Sequence, residues 1–111
     1  MAMKKKMFPL VVVLGICCVA VSVFAQAASE NTGEKLFMAN CKICHPDGGN
    51  IVNPAKTLHE KDREAHNVKT SADIVNLMRH PGPGMTTFDE KTISDKDARL
   101  IADYVIKTFK K

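Results

Sequence analysis

The pentapeptide Cys41-Lys42-Ile43-Cys44-His45 constrains the fold of this chain more than any other stretch. Its spacing is C-x-x-C-H, the pattern through which haem is covalently attached to a polypeptide. Two thiols three positions apart can both reach the vinyl groups on one edge of a haem and form thioether bonds. A histidine directly after the second thiol is then carried under the ring, where an imidazole nitrogen can bind iron. The pattern therefore predicts a chain folded around a haem, with Cys41 and Cys44 as attachment points and His45 as an axial ligand.

Two other uses of paired cysteines fit the sequence less well. A redox dithiol is expected after a strand in a βαβ context, and no such context precedes Cys41. A zinc site needs two more ligands at short spacing, but no second cysteine pair follows Cys44. The chain also has no Trp and only one Tyr, so a large apolar cofactor would supply interior that the side chains lack.

The N-terminal residues have the pattern of a cleaved export signal. Lysines at positions 4–6 form a positive n-region, residues 7–23 form an apolar h-region, and residues 23–25 resemble a signal-peptidase site. We therefore predict a signal peptide over residues 1–25 and a single haem-carrying domain over residues 26–111. Removal of 25 of the 111 residues would leave 86, which is one domain.

Three alternatives to this processing remain open. Cleavage could instead follow Ala27 or Ala28. A retained h-region would anchor the protein in a membrane, since it has about the length of a short spanning helix. Lipidation at Cys17 would also attach it, although Ile16 is bulky where a lipoprotein site has a small residue. The primary expectation is an exported periplasmic protein without stable membrane insertion.

The charge balance gives no indication of nucleic-acid binding. The full chain has a net charge of +4, from 16 basic and 12 acidic residues. Loss of the three N-terminal lysines would leave 13 basic residues, or +1, and two ionised haem propionates would bring this to about −1. Nucleic-acid-binding proteins usually have a strongly basic face.

Helix signals precede and follow the haem motif. The first helix is predicted from about Thr32 to Asn40, with Asn31 and Glu34 as a capping pair, and it leads directly into the motif. Gly33 on this helix would allow close approach of the last helix. Residues 58–67 alternate in charge, which predicts a short solvated helix.

Two further helices are predicted towards the C-terminus. Thr70 or Ser71 can cap a helix from Ala72 to about Met78, which ends before a run of prolines and glycines. The last helix begins at Ser94, paired with Asp97. Apolar residues at helical spacing give each of these helices a core-facing stripe. The stripes comprise Ile74, Leu77 and Met78, and Leu100, Ile101, Tyr104, Val105 and Thr108.

The second axial ligand decides whether such a haem transfers electrons or binds small molecules. Met85 is the preferred candidate, because Gly82-Pro83-Gly84 lets the backbone run close to a flat ring and 40 residues separate it from His45. His80 is the alternative. The remaining candidates fit less well, since they lie too near the motif, in an apolar stripe or on a charged surface. They are Met38, Met78, His59 and His66.

The chain resembles the class I monohaem c-type cytochromes, closest to the small cytochrome c-six type, which can replace plastocyanin, and its bacterial respiratory relatives. The resemblance spans nearly the whole mature chain in the family's order. The matching stretches are Gly33-Glu34-Lys35-Leu36-Phe37, Asn40 to His45, Gly48-Gly49-Asn50, Pro54 to Leu58, Gly84-Met85 and Ile101 to Val105.

The resemblance implies a small all-α fold of three to five helices wrapped around one covalent haem c, with the first and last helices crossing. By position, Cys41 and Cys44 bind the haem, His45 is the proximal ligand and Met85 the distal ligand. It also implies that the Pro54 carbonyl accepts a hydrogen bond from the proximal imidazole.

Two features differ from the family's usual pattern. Thr86 follows Met85 where the family usually has proline, so the ligand loop lacks a residue that would stiffen it. The run Pro81-Gly82-Pro83-Gly84 is richer in proline than is expected of photosynthetic members, which favours a respiratory relative.

The expected function is one-electron transfer by a monomer between transient redox partners. A haem with both axial positions filled has no vacant place for a substrate, which favours outer-sphere electron transfer over catalysis. The alternatives are a haem peroxidase, a gas-binding sensor or a cytochrome subunit of a larger redox complex. The sequence offers no distal acid–base pair for a peroxidase.

Overall fold

The computed structural model describes residues 28–29 and 32–111, and every regular element within them is helical. Helix α1 covers residues 32–40, α2 is Glu60–Ala65, α3 is Ser71–Arg79 and α4 is Asp95–Thr108. A 3₁₀ turn at Pro46–Gly48 follows the haem motif. This agrees with the predicted all-α fold. The predicted signal peptide and Asn31 lie outside the described residues.

Gly33 marks the point where α1 crosses α4, as predicted. A Cβ atom at Gly33 would lie 2.5 Å from the carbonyl oxygen of Leu100 and 3.1 Å from the Cβ of Tyr104. The two backbones can approach this closely only because glycine has no side chain. One turn later, the ring centroid of Phe37 lies 5.3 Å from that of Tyr104. The crossing thereby fixes the end of α1 that leads into Cys41.

The core lies where α1, α3 and α4 meet. The predicted stripe of α4 is confirmed at Ile101 and Val105, each 2% exposed, but Thr108 at its end is exposed. On the apolar face of α3, Ile74 and Met78 are buried, whereas Leu77 is 39% exposed. Ala98 and Ala102 of α4 are also buried, although the predicted stripe did not include them. Their small side chains let the helices pack closely. The buried apolar residues are Phe37, Ile74, Met78, Ile93, Ala98, Ile101, Ala102 and Val105.

Side-chain caps fix where the last two helices begin. The hydroxyl of Thr70 accepts a hydrogen bond from the Asp73 N–H, and the Asp73 carboxylate accepts one from the Thr70 N–H at 2.8 Å. Hydrogen bonds from the Thr70 N–H and the Lys69 N–H hold the pKa of the Asp73 carboxyl below its usual value. Ser94 caps α4 by accepting a hydrogen bond from the Asp97 N–H, as predicted.

Helix α2 is shorter than predicted, and one of its charged residues is buried. Arg63 is only 5% exposed. Its Nε donates to the carbonyl of Leu58 at 2.8 Å, and its Nη1 donates to the carbonyl of Val68 at 3.3 Å. The prediction of a solvated stretch is therefore wrong at Arg63. Its guanidinium turns inward because it supplies donors to backbone carbonyls on both sides of the helix.

No helix in the described part of the chain is both long enough and apolar enough to traverse a bilayer.

Candidate haem-binding site

The haem motif forms one helical turn that continues directly from α1. The Cys41 N–H donates to the carbonyl of Phe37 at 2.8 Å, and the His45 N–H donates to the carbonyl of Cys41 at 2.9 Å. A third bond, from the Cys44 N–H to the Cys41 carbonyl, tightens the turn. Residues at i, i+3 and i+4 share one face of a helical turn. Both thiols and the imidazole are therefore presented to the same side.

The two thiols have different surroundings. Both are free, with Cys41 half-buried against the core and Cys44 exposed. Burial, and to a lesser extent the neighbouring Cys44, raises the pKa of the Cys41 thiol to about 11. The Cys41 thiol is therefore protonated at neutral pH, and its raised pKa is compatible with haem attachment.

The imidazole of His45 is oriented by a backbone carbonyl. Its Nδ1 atom lies 2.7 Å from the carbonyl oxygen of Gly49. Because a carbonyl oxygen can only accept, Nδ1 carries the proton and Nε2 keeps the lone pair that can bind a metal. The resemblance implied that the Pro54 carbonyl accepts this hydrogen bond. That expectation is wrong, because the acceptor is the carbonyl of Gly49. The turn at Pro46–Gly48 brings Gly49 back to the ring before the chain reaches Pro54.

Two backbone features produce this turn. Asp47 and Gly48 have φ values of 53° and 78°, in the left-handed region. Successive left-handed residues reverse the chain sharply, and glycine adopts this conformation without steric cost. The run Asp47-Gly48-Gly49-Asn50 consists of residue types that favour turns.

Asn50 organises the rest of the loop that follows His45. Its Oδ1 accepts hydrogen bonds from the N–H groups of Val52 and Asn53, at 3.0 and 2.9 Å. Its Nδ2 donates to the carbonyl of Lys56 at 2.8 Å. The Ile51 N–H donates to the carbonyl of Cys44 at 3.1 Å. Residues 51 and 52 are thereby held beside the haem motif.

Met85 lies on the loop between α3 and α4, and this loop reaches the same region. Gly84 has a φ of 91°, and a Cβ atom there would lie 2.8 Å from Cγ1 of Val52. Val52 in turn neighbours Ile51, which is bonded to Cys44. The structure thus brings the segment carrying Met85 against the loop that follows the haem motif.

The other candidates for the second ligand have other environments. Met78 is 3% exposed and belongs to the core, whereas Met38 is 44% exposed on α1. The ring of His59 packs edge-on against Phe109, with 5.8 Å between centroids. His66 has its Nδ1 atom 2.7 Å from the Asp62 carbonyl oxygen. His80 is exposed at the C-terminus of α3, where the Met85 loop begins, and remains the alternative ligand.

The residues around the motif fit a haem in chemistry as well as in position. The donor set comprises two free thiols, an imidazole with its Nε2 lone pair available and a thioether. Large apolar side chains on the surrounding loops are exposed, although soluble proteins usually bury such residues. A flat apolar macrocycle would cover part of this surface. The exposed residues on these loops are Ile43, Ile51, Val52 and Met85, at 82, 62, 59 and 37%.

Comparisons with known proteins identify the family of this chain. Residues 28–105 match the family model described as cytochrome c oxidase, cbb3-type, subunit III. The chain is 34% identical to cytochrome c6 of Pyropia yezoensis over 94% of each chain. It belongs to the class I monohaem c-type cytochromes related to cytochrome c6. Membership in this family brings one covalently attached haem c and a function in electron transport.

Solved structures of such cytochromes have the same fold. OmcF, an outer membrane cytochrome from Geobacter sulfurreducens, is 45% identical and superposes with a TM-score of 0.68, covering 69% of this chain and 98% of OmcF. Cytochrome c6A of Arabidopsis thaliana is 30% identical, with a TM-score of 0.67, covering 71% of this cytochrome and 88% of c6A. The predicted fold class and family are confirmed.

Proposed function

We propose that this cytochrome is a one-electron carrier whose haem is attached through Cys41 and Cys44 and ligated axially by His45 and Met85. The observation that carries the proposal is the fixed imidazole of His45, whose Nδ1 is bonded to Gly49. When bound, haem c supplies an iron that alternates between the ferrous and ferric states. Two protein ligands leave no vacant coordination place, which limits the chemistry to passing an electron.

The two ligands have different effects on the iron. The Gly49 carbonyl makes the His45 imidazole a stronger donor and limits rotation of its ring. The thioether of Met85 is soft and uncharged, so it favours the ferrous state relative to a second imidazole and raises the reduction potential. Replacing Met85 should therefore lower the potential.

An apolar surface beside the attachment turn is suited to brief contacts with redox partners. Ile43 lies between the two attachment cysteines and is 82% exposed, and Ile51 beside Cys44 is 62% exposed. Because both residues neighbour the thioether positions, this surface would border the haem edge. Redox encounters of this kind are typically weak and bury less than about 1,200 Å².

The proposed setting is the periplasm, with export directed by residues 1–25. The respiratory assignment is supported by the proline-rich run 81–84, which differs from the photosynthetic pattern. The test is to mix the reduced protein with membranes of the source organism in the dark. Respiratory membranes should oxidise the protein under these conditions. If oxidation of the protein strictly requires light, the protein belongs to photosynthesis instead. Because the relative OmcF is an outer membrane cytochrome, cell fractionation should also test for a lipid-attached form.

The axial ligation is tested by spectra of the purified holoprotein in both redox states. The ferric form should have the charge-transfer band between methionine sulfur and iron, and the reduced form should not bind CO. Met85→Ala should lose the band and bind CO. Met38→Ala removes a methionine of similar exposure and should change neither property. Absence of the band from the wild-type protein, with CO binding gained in His80→Ala and not in Met85→Ala, would assign the ligand to His80.

A second candidate function is a cytochrome subunit of a larger redox complex, which the oxidase-subunit description of the matching family favours. Mild detergent extraction followed by size separation distinguishes the two. A carrier should elute alone at the mass of the mature chain. A stable subunit would elute with its partners at a much larger mass.

A further inference from the structure

The loop that carries Met85 is held at its base by Arg79. Thr86 follows Met85, and a threonine does not fix the backbone φ angle as a proline would. We infer that Arg79 positions the Met85 loop and so keeps the sulfur on the iron. This inference rests on the proposed role of Met85 as the distal ligand.

Two hydrogen bonds close the loop of residues 80–87. The Phe88 N–H donates to the carbonyl of Met78 at 2.9 Å. The Phe88 carbonyl accepts a hydrogen bond from Nη1 of Arg79 at 2.8 Å. Both polar backbone groups of Phe88 are therefore bonded to the last turn of α3. Both ends of the loop are therefore held at the last turn of α3.

Arg79 also connects this point to α4. Its Nη2 lies 2.7 Å from Oδ1 of Asp95, the first residue of α4. A guanidinium has donors in a planar fork, so one side chain can bind a carbonyl and a carboxylate at once. The Arg79 side chain is 15% exposed and that of Asp95 is 72% exposed. Because such an exposed carboxylate is screened by water, the bond to Phe88 is the one that holds the loop, and Asp95 orients the guanidinium.

Within the loop, the hydrogen bond closest to Met85 is weak. The Met85 N–H lies 3.5 Å from the carbonyl oxygen of Gly82, at the outer limit of a hydrogen bond. At the far end of the loop from Arg79, Gly84 packs against the side chain of Val52. The position of Met85 therefore depends strongly on how the base of the loop is held.

Loss of the Arg79 donor should shift the loop towards open conformations. The Phe88 carbonyl would lose a charge-assisted hydrogen bond, and the Met85 sulfur would leave the iron more often. An external ligand binds only the open form, so its apparent affinity rises in proportion to the open fraction. The affinity for such a ligand therefore measures the role of Arg79 without reference to electron transfer.

The test is imidazole titration of the ferric holoprotein, followed by the methionine–iron charge-transfer band. Arg79→Gln should bind imidazole roughly tenfold more tightly than wild type, the size expected for loss of a hydrogen bond from a charged donor. Arg79→Lys keeps the charge but not the planar fork, and it should be intermediate. If Arg79→Gln does not accumulate, Arg79→Lys still decides the question.

Two control variants separate positioning from general stability. Thr70→Ala removes the cap at the opposite end of α3, so it should lower the unfolding temperature and leave imidazole affinity unchanged. Arg99→Gln removes an exposed arginine from α4 and should change neither property. Equal imidazole affinity in wild type and both Arg79 variants would overturn the role of Arg79 and leave the proposed ligation by Met85 intact. The same increase in Thr70→Ala would also overturn that role. A wild-type protein without the charge-transfer band would remove the proposed ligation, and the role of Arg79 with it.

Discussion

Gly48 lies directly against the ring of Phe109: a Cβ atom on Gly48 would be 2.5 Å from Cδ1 of that ring. Gly48 follows the haem-motif histidine by three residues, and Phe109 is the residue that ends α4. The Phe109 ring also contacts Phe37 of α1, with 5.6 Å between centroids. The carbonyl of Phe109 accepts a hydrogen bond from the first N–H of α2 at 2.9 Å. The C-terminal aromatic residue therefore joins α1, α2 and α4 to the loop that orients His45.

The first prediction is that Gly48→Ala destabilises the protein by about 3 kcal/mol. The new methyl group would overlap the Phe109 ring, and the φ of 78° is unfavourable for a residue with a Cβ. Guanidinium unfolding of the holoprotein measures the change. Lys96→Ala, at an exposed position on α4, is the control and should change stability by less than about 0.5 kcal/mol. Equal effects of the two substitutions would contradict the packing argument.

The second prediction concerns the helix crossing at Gly33. Alanine is favoured over glycine within a helix by about 1 kcal/mol, so Gly33→Ala could in principle stabilise α1. Its Cβ, however, would lie 2.5 Å from the Leu100 carbonyl oxygen, which is backbone and cannot rotate away. Overpacking of this kind costs about 1–3 kcal/mol and should prevail. Thermal unfolding should show a lowered midpoint; a raised midpoint would mean that α1 shifts freely along α4.

The sequence was most informative where one local pattern determines the structure. The C-x-x-C-H spacing predicted that both thiols and His45 share a face, and one helical turn places them there. Ser94 was predicted as a cap, and Thr70 or Ser71 as another, because hydroxyl side chains can bond the exposed N–H groups of a first helical turn. The structure has Ser94 and Thr70 in these roles. Gly33 was predicted at the crossing because a residue without a side chain lets another helix approach closely. The axial roles of His45 and Met85 stay predictions.

Contacts between distant segments could not be predicted in this way. Arg63 sits in a run of alternating charges, and nothing local distinguishes it from its solvated neighbours. Its burial depends on carbonyls that the fold leaves on both sides of α2. The Gly49 acceptor depends on two successive left-handed residues, and the resemblance pointed to Pro54 instead. Likewise, the contacts of Arg79 with Phe88 exist only once the loop closes.

The third prediction is a loss of stability in acid that depends partly on Asp73. The capping bonds lower the pKa of its carboxyl in the folded state, so the unfolded state binds the proton more readily. The resulting stability is present above the unfolded-state pKa of about 3.9 and is lost as the pH falls through the lower folded-state value. Asp73→Asn should therefore be less stable than wild type at pH 7, and the difference should shrink below about pH 4. Urea unfolding at both pH values checks this; a constant difference would exclude a contribution from the ionised carboxylate.

The fourth prediction concerns covalent attachment. Cys41→Ala combined with Cys44→Ala should abolish haem staining of the denatured polypeptide on a gel, because no thiol would remain to form a thioether. The Met85→Ala protein is the control: it should keep the stain, since a distal ligand is not a covalent attachment point. Persistent staining of the double variant would refute attachment through these two thiols.

The fifth prediction follows from the buried guanidinium of Arg63, which is 5% exposed and donates to the carbonyls of Leu58 and Val68. Arg63→Met keeps most of the side-chain volume but leaves both carbonyls without their donor. Removing the buried charge recovers some desolvation energy, but buried acceptors left unsatisfied cost about 1–3 kcal/mol each, so the net loss should be about 2 kcal/mol. Arg99→Met, at an exposed position on α4, should stay within about 0.5 kcal/mol of wild type. Denaturant unfolding compares the two, and the expectation fails if Arg63→Met proves as stable as Arg99→Met, since water would then replace the guanidinium at little cost.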